Sequence, residues 1–190
     1  MGKKIRIAGL DPSMSNFGIS VGTLDIDTNK VDIEKFYLVE TSAGGSKKQV
    51  RVNSDDLRRA NEIWRTLKPV IDDAQLIFAE LPVGSQSSRA QTSYGICLGV
   101  LACINKPLIQ LTPTEIKQYV GGKKDTSKAE IIEWAVSQQP NAPWLKKKTK
   151  GVETLVNKNE HLADSVAAIY TGLTTDQYQN AANMMRSFAS

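Results

Sequence analysis

The chain has 190 residues, room for one domain at roughly 100–200 residues each, and 41% are hydrophobic, which excludes wholesale disorder. No apolar run reaches the ~18 residues of a membrane span, and Met1-Gly2-Lys3-Lys4 lacks the apolar core of a signal peptide, so a cytoplasmic protein with no membrane partner is expected. The net charge of +4 is uneven: segment 105–150 holds nine lysines against four acids, while the remainder sits near −1. A local excess of this kind suits phosphate binding, or simply a solvated loop.

Ile5 to Leu10 reads as a short apolar strand ending at Asp11-Pro12. Phe17, Ile19 and Val21 alternate with small residues as a returning strand, and Val31–Val39 supplies a third. Residues 43–53 read as a Gly/Ser/Lys-rich mobile loop. Leu57, Ala60, Ile63, Leu67 and Ile71 then recur at helical spacing, with Arg58, Arg59 and Arg65 assigned to the surface. Leu76–Ala79 is a buried strand that ends at Glu80, and Ser87–Ile104 an apolar helix. Cys97 and Cys103 lie in that helix; they form no zinc pattern and read as reduced core thiols. Leu108–Leu111 is another strand. Thr112-Pro113-Thr114-Glu115 and Ser127-Lys128-Ala129-Glu130 are capping boxes that open two helices. Residues 139–158 read as a long basic loop, 159–173 as a helix, and the tail from Thr175 as one more. Three strands able to pair antiparallel, then strands alternating with helices, predict an α/β fold: a mixed central sheet with helices on both faces.

Within that frame Asp11 and Glu80 each close an apolar strand, and His161 and Asp164 share a face of one helix. Asp11 alone is compatible with a turn residue, His161 with an ordinary surface or core histidine, Glu80 and Asp164 with solvent-exposed acids. If the first and fourth strands are neighbours, however, the four meet. Carboxylates at close range raise each other's pKa, and hard oxygens with one imidazole suit Mg²⁺ or Mn²⁺. Two such ions can clamp a phosphodiester.

These residues resemble the RuvC-type Holliday junction resolvases of the RNase H-like superfamily, from about Ile5 to Leu173. Ile7-Ala8-Gly9-Leu10-Asp11-Pro12 with Gly18 is similar to the family's first-strand motif. Leu76-Ile77-Phe78-Ala79-Glu80 resembles the strand carrying the second acid. Ile116 to Gly122 and Ser127 to Glu130 look like its helix, glycine turn and helix, and His161 to Ala168 like its catalytic helix. The resemblance implies one RNase H-like domain over 1–190, three antiparallel strands followed by parallel ones, and a homodimer that cuts four-way junctions. It implies Asp11, Glu80 and Asp164 as ligands of two Mg²⁺ or Mn²⁺ ions, with His161 the fourth member of the site. Lys117 and Lys128 would hold DNA; Lys123, Lys124, Lys146, Lys147 and Lys148 complete the basic set. A ribonuclease H or a broader branch and flap nuclease is the alternative. The actin and sugar-kinase class is disfavoured, because Asp11 to Asn16 is not its Gly/Thr-rich phosphate hairpin. Ser13 replaces the family's usual glycine. The loop Leu81-Pro82-Val83-Gly84-Ser85 lacks the aromatic wedge of cellular members, and Val83 cannot stack on a base. That divergence suggests a bacteriophage or mobile-element source.

Overall fold

A computed structural model describes residues 3–44, 51–149 and 151–187. Most of the expected loop at 43–53 lies outside the described residues. Strands β1 (Lys4–Asp11), β2 (Asn16–Asp25) and β3 (Lys30–Glu40) form an antiparallel meander. Strands β4 (Leu76–Glu80) and β5 (Leu108–Leu111) extend it on the other side of β1, each parallel to its neighbour. The resulting five-stranded order is β3-β2-β1-β4-β5, the mixed sheet that the element order predicts. The helices are α1 (Val52–Asp73), α2 (Ser88–Ala102), α3 (Pro113–Gly121), α4 (Lys128–Gln138), α5 (Asn159–Gly172) and α6 (Asp176–Ser187).

Side chains of a strand alternate between faces, and the two cores follow that parity. Ile5, Ile7, Leu76 and Phe78 pack with Leu162, Val166 and Ile169 of α5 and with Tyr178 of α6. Ala8, Leu10, Ile77 and Ala79 pack on the opposite face with Ile63 and Leu67 of α1 and Cys97 and Leu101 of α2. Asp11 and Glu80 have the parity of Ile7 and Phe78, so both belong to the α5 side. The parallel register Leu10↔Ala79 makes them neighbours one step further on.

Helix α5 lies unusually close to the sheet because two strand positions have no side chain. A Cβ on Gly9 would strike the carbonyl oxygen of Ser165, and one on Gly18 would strike that of His161. Both expected capping boxes form: Thr112 with Glu115 starts α3, and Ser127 with Glu130 starts α4. The Thr126 hydroxyl reaches the carbonyls of Lys117 and Lys123 at 2.9 and 2.8 Å, which fixes the turn between these helices.

Four expectations need correction. Residues 139–158 are not an unstructured loop: β6 (Lys146–Thr149) pairs antiparallel with β7 (Val152–Leu155). Leu57 is outside the core, 64% exposed, because the buried face of the first turns of α1 is taken by Asp55, Asp56, Arg59 and Ile63 instead. Arg59 is buried rather than superficial. Its guanidinium donates to Thr41 Oγ1 (2.8 Å), the Met14 carbonyl (2.9 Å) and Ser15 Oγ (3.1 Å), tying α1 to the turn after Asp11. Cys97 is buried as expected, but Cys103, the C-cap of α2, is exposed.

Gly9→Ala is expected to destabilise the protein by about 1–3 kcal/mol, because α5 must lift off the sheet. Gly99→Ala, on the open side of α2 with nothing near the added methyl, should be neutral or stabilising by up to about 1 kcal/mol. Thermal melts of the two variants check this; equal melting temperatures would mean that α5 is not seated by the bare glycine.

Candidate metal and nucleic-acid site

The ends of β1 and β4 deliver Asp11 and Glu80 beneath the first turns of α5, whose helical pitch aligns His161 and Asp164 above them. His161 Nδ1 and Asp11 Oδ2 are hydrogen-bonded at 2.8 Å. His161 Nε2 lies 3.3 Å from Glu160 Oε1, and the other Glu160 oxygen pairs with Lys128 Nζ at 2.9 Å. A polar relay therefore runs Asp11–His161–Glu160–Lys128. Sequence reasoning missed Glu160; its one signal was adjacency to the lone histidine.

The electrostatics tie Glu80 and Asp164 to the same point. Burial, then the charges of Asp11 and Asp164, push the Glu80 carboxyl up to about 8 against the weaker pull of Lys117. Burial, then Asp11, pushes Asp164 up to about 7, opposed by His161 and Lys128. Burial also raises Asp11, although the bond from His161 opposes it. Burial disfavours protonated His161, but Asp11, Glu160 and Asp164 together outweigh it and hold its pKa above the ordinary value. Among the described residues, neither Glu80 nor Asp164 has a hydrogen bond or ion pair from its side chain, and no three His, Cys, Asp or Glu side chains form a ready-made metal-ligating group. The four side chains are coupled through charge and through one direct bond, that between Asp11 and His161.

The basic residues divide into three groups. The charge of Lys117 lies near enough to Glu80, and that of Lys128 near enough to Asp11 and Asp164, to favour their ionised forms, and Lys128 is paired with Glu160. Lys123 is paired with Glu130 at 3.2 Å and Lys146 with Glu153 at 3.6 Å. Lys124, Lys147 and Lys148 are exposed and have no ion pair among the described residues. On the opposite face of the sheet, the Cys97 thiol is pushed up to about 12 by burial and by Asp11, which makes it inert as a nucleophile.

No protein-family model matches the chain. A curated relative, the crossover junction endodeoxyribonuclease RuvC of Carboxydothermus hydrogenoformans, is 25% identical over 168 residues, covering 88% of this chain and 95% of the relative. The structure of Thermus thermophilus RuvC superposes with a TM-score of 0.62 at 18% identity, over 93% of this chain and 96% of that one. The same organism's RuvC in complex with a Holliday junction substrate gives 0.61 at 19% identity, over 88% and 92%. The chain is a homologue of RuvC. Its sheet and flanking helices are the RNase H-like fold of the RuvC structures.

Crowded carboxyls cost stability when they ionise. Glu80 has a folded pKa above its ordinary 4.5, so the folded state holds its proton longer than the unfolded chain does, and stability falls as pH rises from 4.5 towards about 8. In chelator at pH 8, Glu80→Gln should therefore raise stability by about 1 kcal/mol, roughly 2–4 °C in melting temperature, with a smaller gain near pH 5. A lower melting temperature for this variant at pH 8 would show that the carboxylate has a stabilising partner.

Proposed function

We propose that this chain is a metal-dependent, structure-selective DNA endonuclease that resolves Holliday junctions by paired phosphodiester hydrolysis. The observation that carries the reading is the convergence of Asp11, Glu80 and Asp164 in charge, beside Lys117 and Lys128, at one end of the sheet. Homology to RuvC supports the reaction and the substrate. The residues fit a divalent cation: three carboxyls with a single imidazole are a hard-oxygen donor set, and like charges this crowded are relieved by a cation. Asp11, Glu80 and Asp164 would hold two Mg²⁺ or Mn²⁺ ions, with His161 as the fourth member. Bound there, the pair would supply Lewis acidity for attack of water on phosphorus and for departure of the 3′ oxygen.

The chain's own groups do the positioning. His161 holds one oxygen of Asp11 and so fixes that carboxylate's orientation. Lys128 and Lys117 offer cations on the side of the acids where a phosphate backbone would lie, and exchange of Lys128 from Glu160 to phosphate couples DNA binding to the relay. Lys123 and Lys124 sit on the same α3–α4 turn. Cutting two strands symmetrically needs two sites, hence a two-fold homodimer. The apolar helix region of α2 suits that contact, and Leu98 within it is 42% exposed.

A broader branch or flap nuclease is the second reading. It is favoured by Val83, which is 53% exposed where an aromatic wedge would stand. Parallel cleavage of labelled four-way junctions, Y-forks and RNA–DNA hybrids, each with and without Mg²⁺, separates the two; junctions cut in symmetric pairs support resolution.

Asp11→Asn should reduce cleavage to roughly a thousandth or less while junction binding persists. A variant cutting at the wild-type rate would remove Asp11 from the site. Lys117→Ala and Lys128→Ala should each weaken binding and flatten its salt dependence by about one unit. Unchanged slopes in both would place these lysines off the DNA.

A further inference from the structure

The β6–β7 ribbon is paired with no other strand, and all eight of its residues are exposed. Its sequence has none of the apolar alternation of a strand that packs on a core. Its place is nevertheless fixed. Asn159, fully buried as the first residue of α5, donates from Nδ2 to the carbonyls of Leu145 (2.7 Å) and Val156 (3.0 Å), and accepts from the Leu145 amide at 3.0 Å. The Val156 amide closes the base onto the Leu145 carbonyl at 3.2 Å. The ribbon is thus clamped two residues before His161, at the end of α5 that holds the acidic site.

The register sorts its side chains. Lys146 opposes Leu155, and Lys148 opposes Glu153, so these four share one face. There Lys146 is already paired with Glu153, which also sits directly across from Lys148. Lys147 opposes Thr154, and Thr149 opposes Val152, so the other face combines a cation, two hydroxyls and a 62% exposed valine with no acid. Phosphate oxygens accept from ammonium and hydroxyl groups, and a two-stranded ribbon is narrow enough to lie along a duplex groove. The three consecutive lysines are therefore unequal.

We infer that the Lys147–Thr149–Val152–Thr154 face of this ribbon is a second DNA contact, binding the phosphate backbone of a duplex arm, while Lys146 is paired with Glu153 and Lys148 lies across the register from that same acid on the other face. This rests on the nuclease reading and adds which part of the substrate the ribbon meets. It gives the basic segment a structural role in place of the absent aromatic wedge.

The test is equilibrium binding of a labelled four-way junction in chelator between 50 and 200 mM salt, for the wild type and for Lys146→Ala, Lys147→Ala and Lys148→Ala. All three positions are exposed, and thermal melts confirm folding. Lys147→Ala should weaken binding several-fold and flatten the salt slope by about one unit, with Lys146→Ala and Lys148→Ala changing affinity less than about two-fold. Equal losses at all three positions, or no loss at Lys147, overturn the inference. Wild-type cleavage of the same junction in Mg²⁺ keeps the two readings apart. A chain that cuts but shows no Lys147 effect fails the ribbon alone. A chain that binds through Lys147 but never cuts fails the nuclease reading alone.

Discussion

The site depends on how closely α5 approaches the sheet. Gly9 and Gly18 leave no side chain between strand and helix backbones, so the carbonyls of Ser165 and His161 rest almost on β1 and β2. That close seating accompanies the 2.8 Å bond between His161 and Asp11. Apolar packing then holds this arrangement: Leu162, Ala163, Val166 and Ala167 are fully buried between the polar members of the same helix. The helix therefore serves as core on one side and as site on the other.

That placement has an electrostatic cost. Three carboxyls are gathered where burial opposes their ionisation, and among the described residues His161, Lys117 and Lys128 offset them. Folding is secured elsewhere, by the two apolar cores and by ties such as buried Arg59, so the acids are free to be destabilising. Proteins concentrate this kind of local penalty where chemistry or binding needs it.

Much of this was legible in the residues. Asp11 and Glu80 each close an apolar strand and would meet only if those strands were neighbours, a condition that the parallel β1–β4 pairing fulfils. Two capping boxes marked α3 and α4, and the spacing of His161 and Asp164 put them on one helical face. The ribbon escaped because Lys146-Lys147-Lys148 and Val152-Glu153-Thr154-Leu155 carry no buried face, which is the usual signature of a strand; the remaining hint was Gly151, whose φ of 85° suits a tight reversal. Arg59 escaped because an arginine at helical spacing reads as surface. Its burial is decided by acceptors at Met14, Ser15 and Thr41, which are distant in sequence. Glu160 was hidden for a similar reason: its partner Lys128 comes from another helix.

The two thiols give this architecture an internal gauge. Cys103 stands at the open end of α2 and is accessible to an alkylating reagent, whereas Cys97 is 1% exposed against the layer behind Asp11. Labelling of the first reports only that the protein is present. Labelling of the second requires α2 to part from the sheet, so its rate measures how often the rear wall of the acidic centre opens.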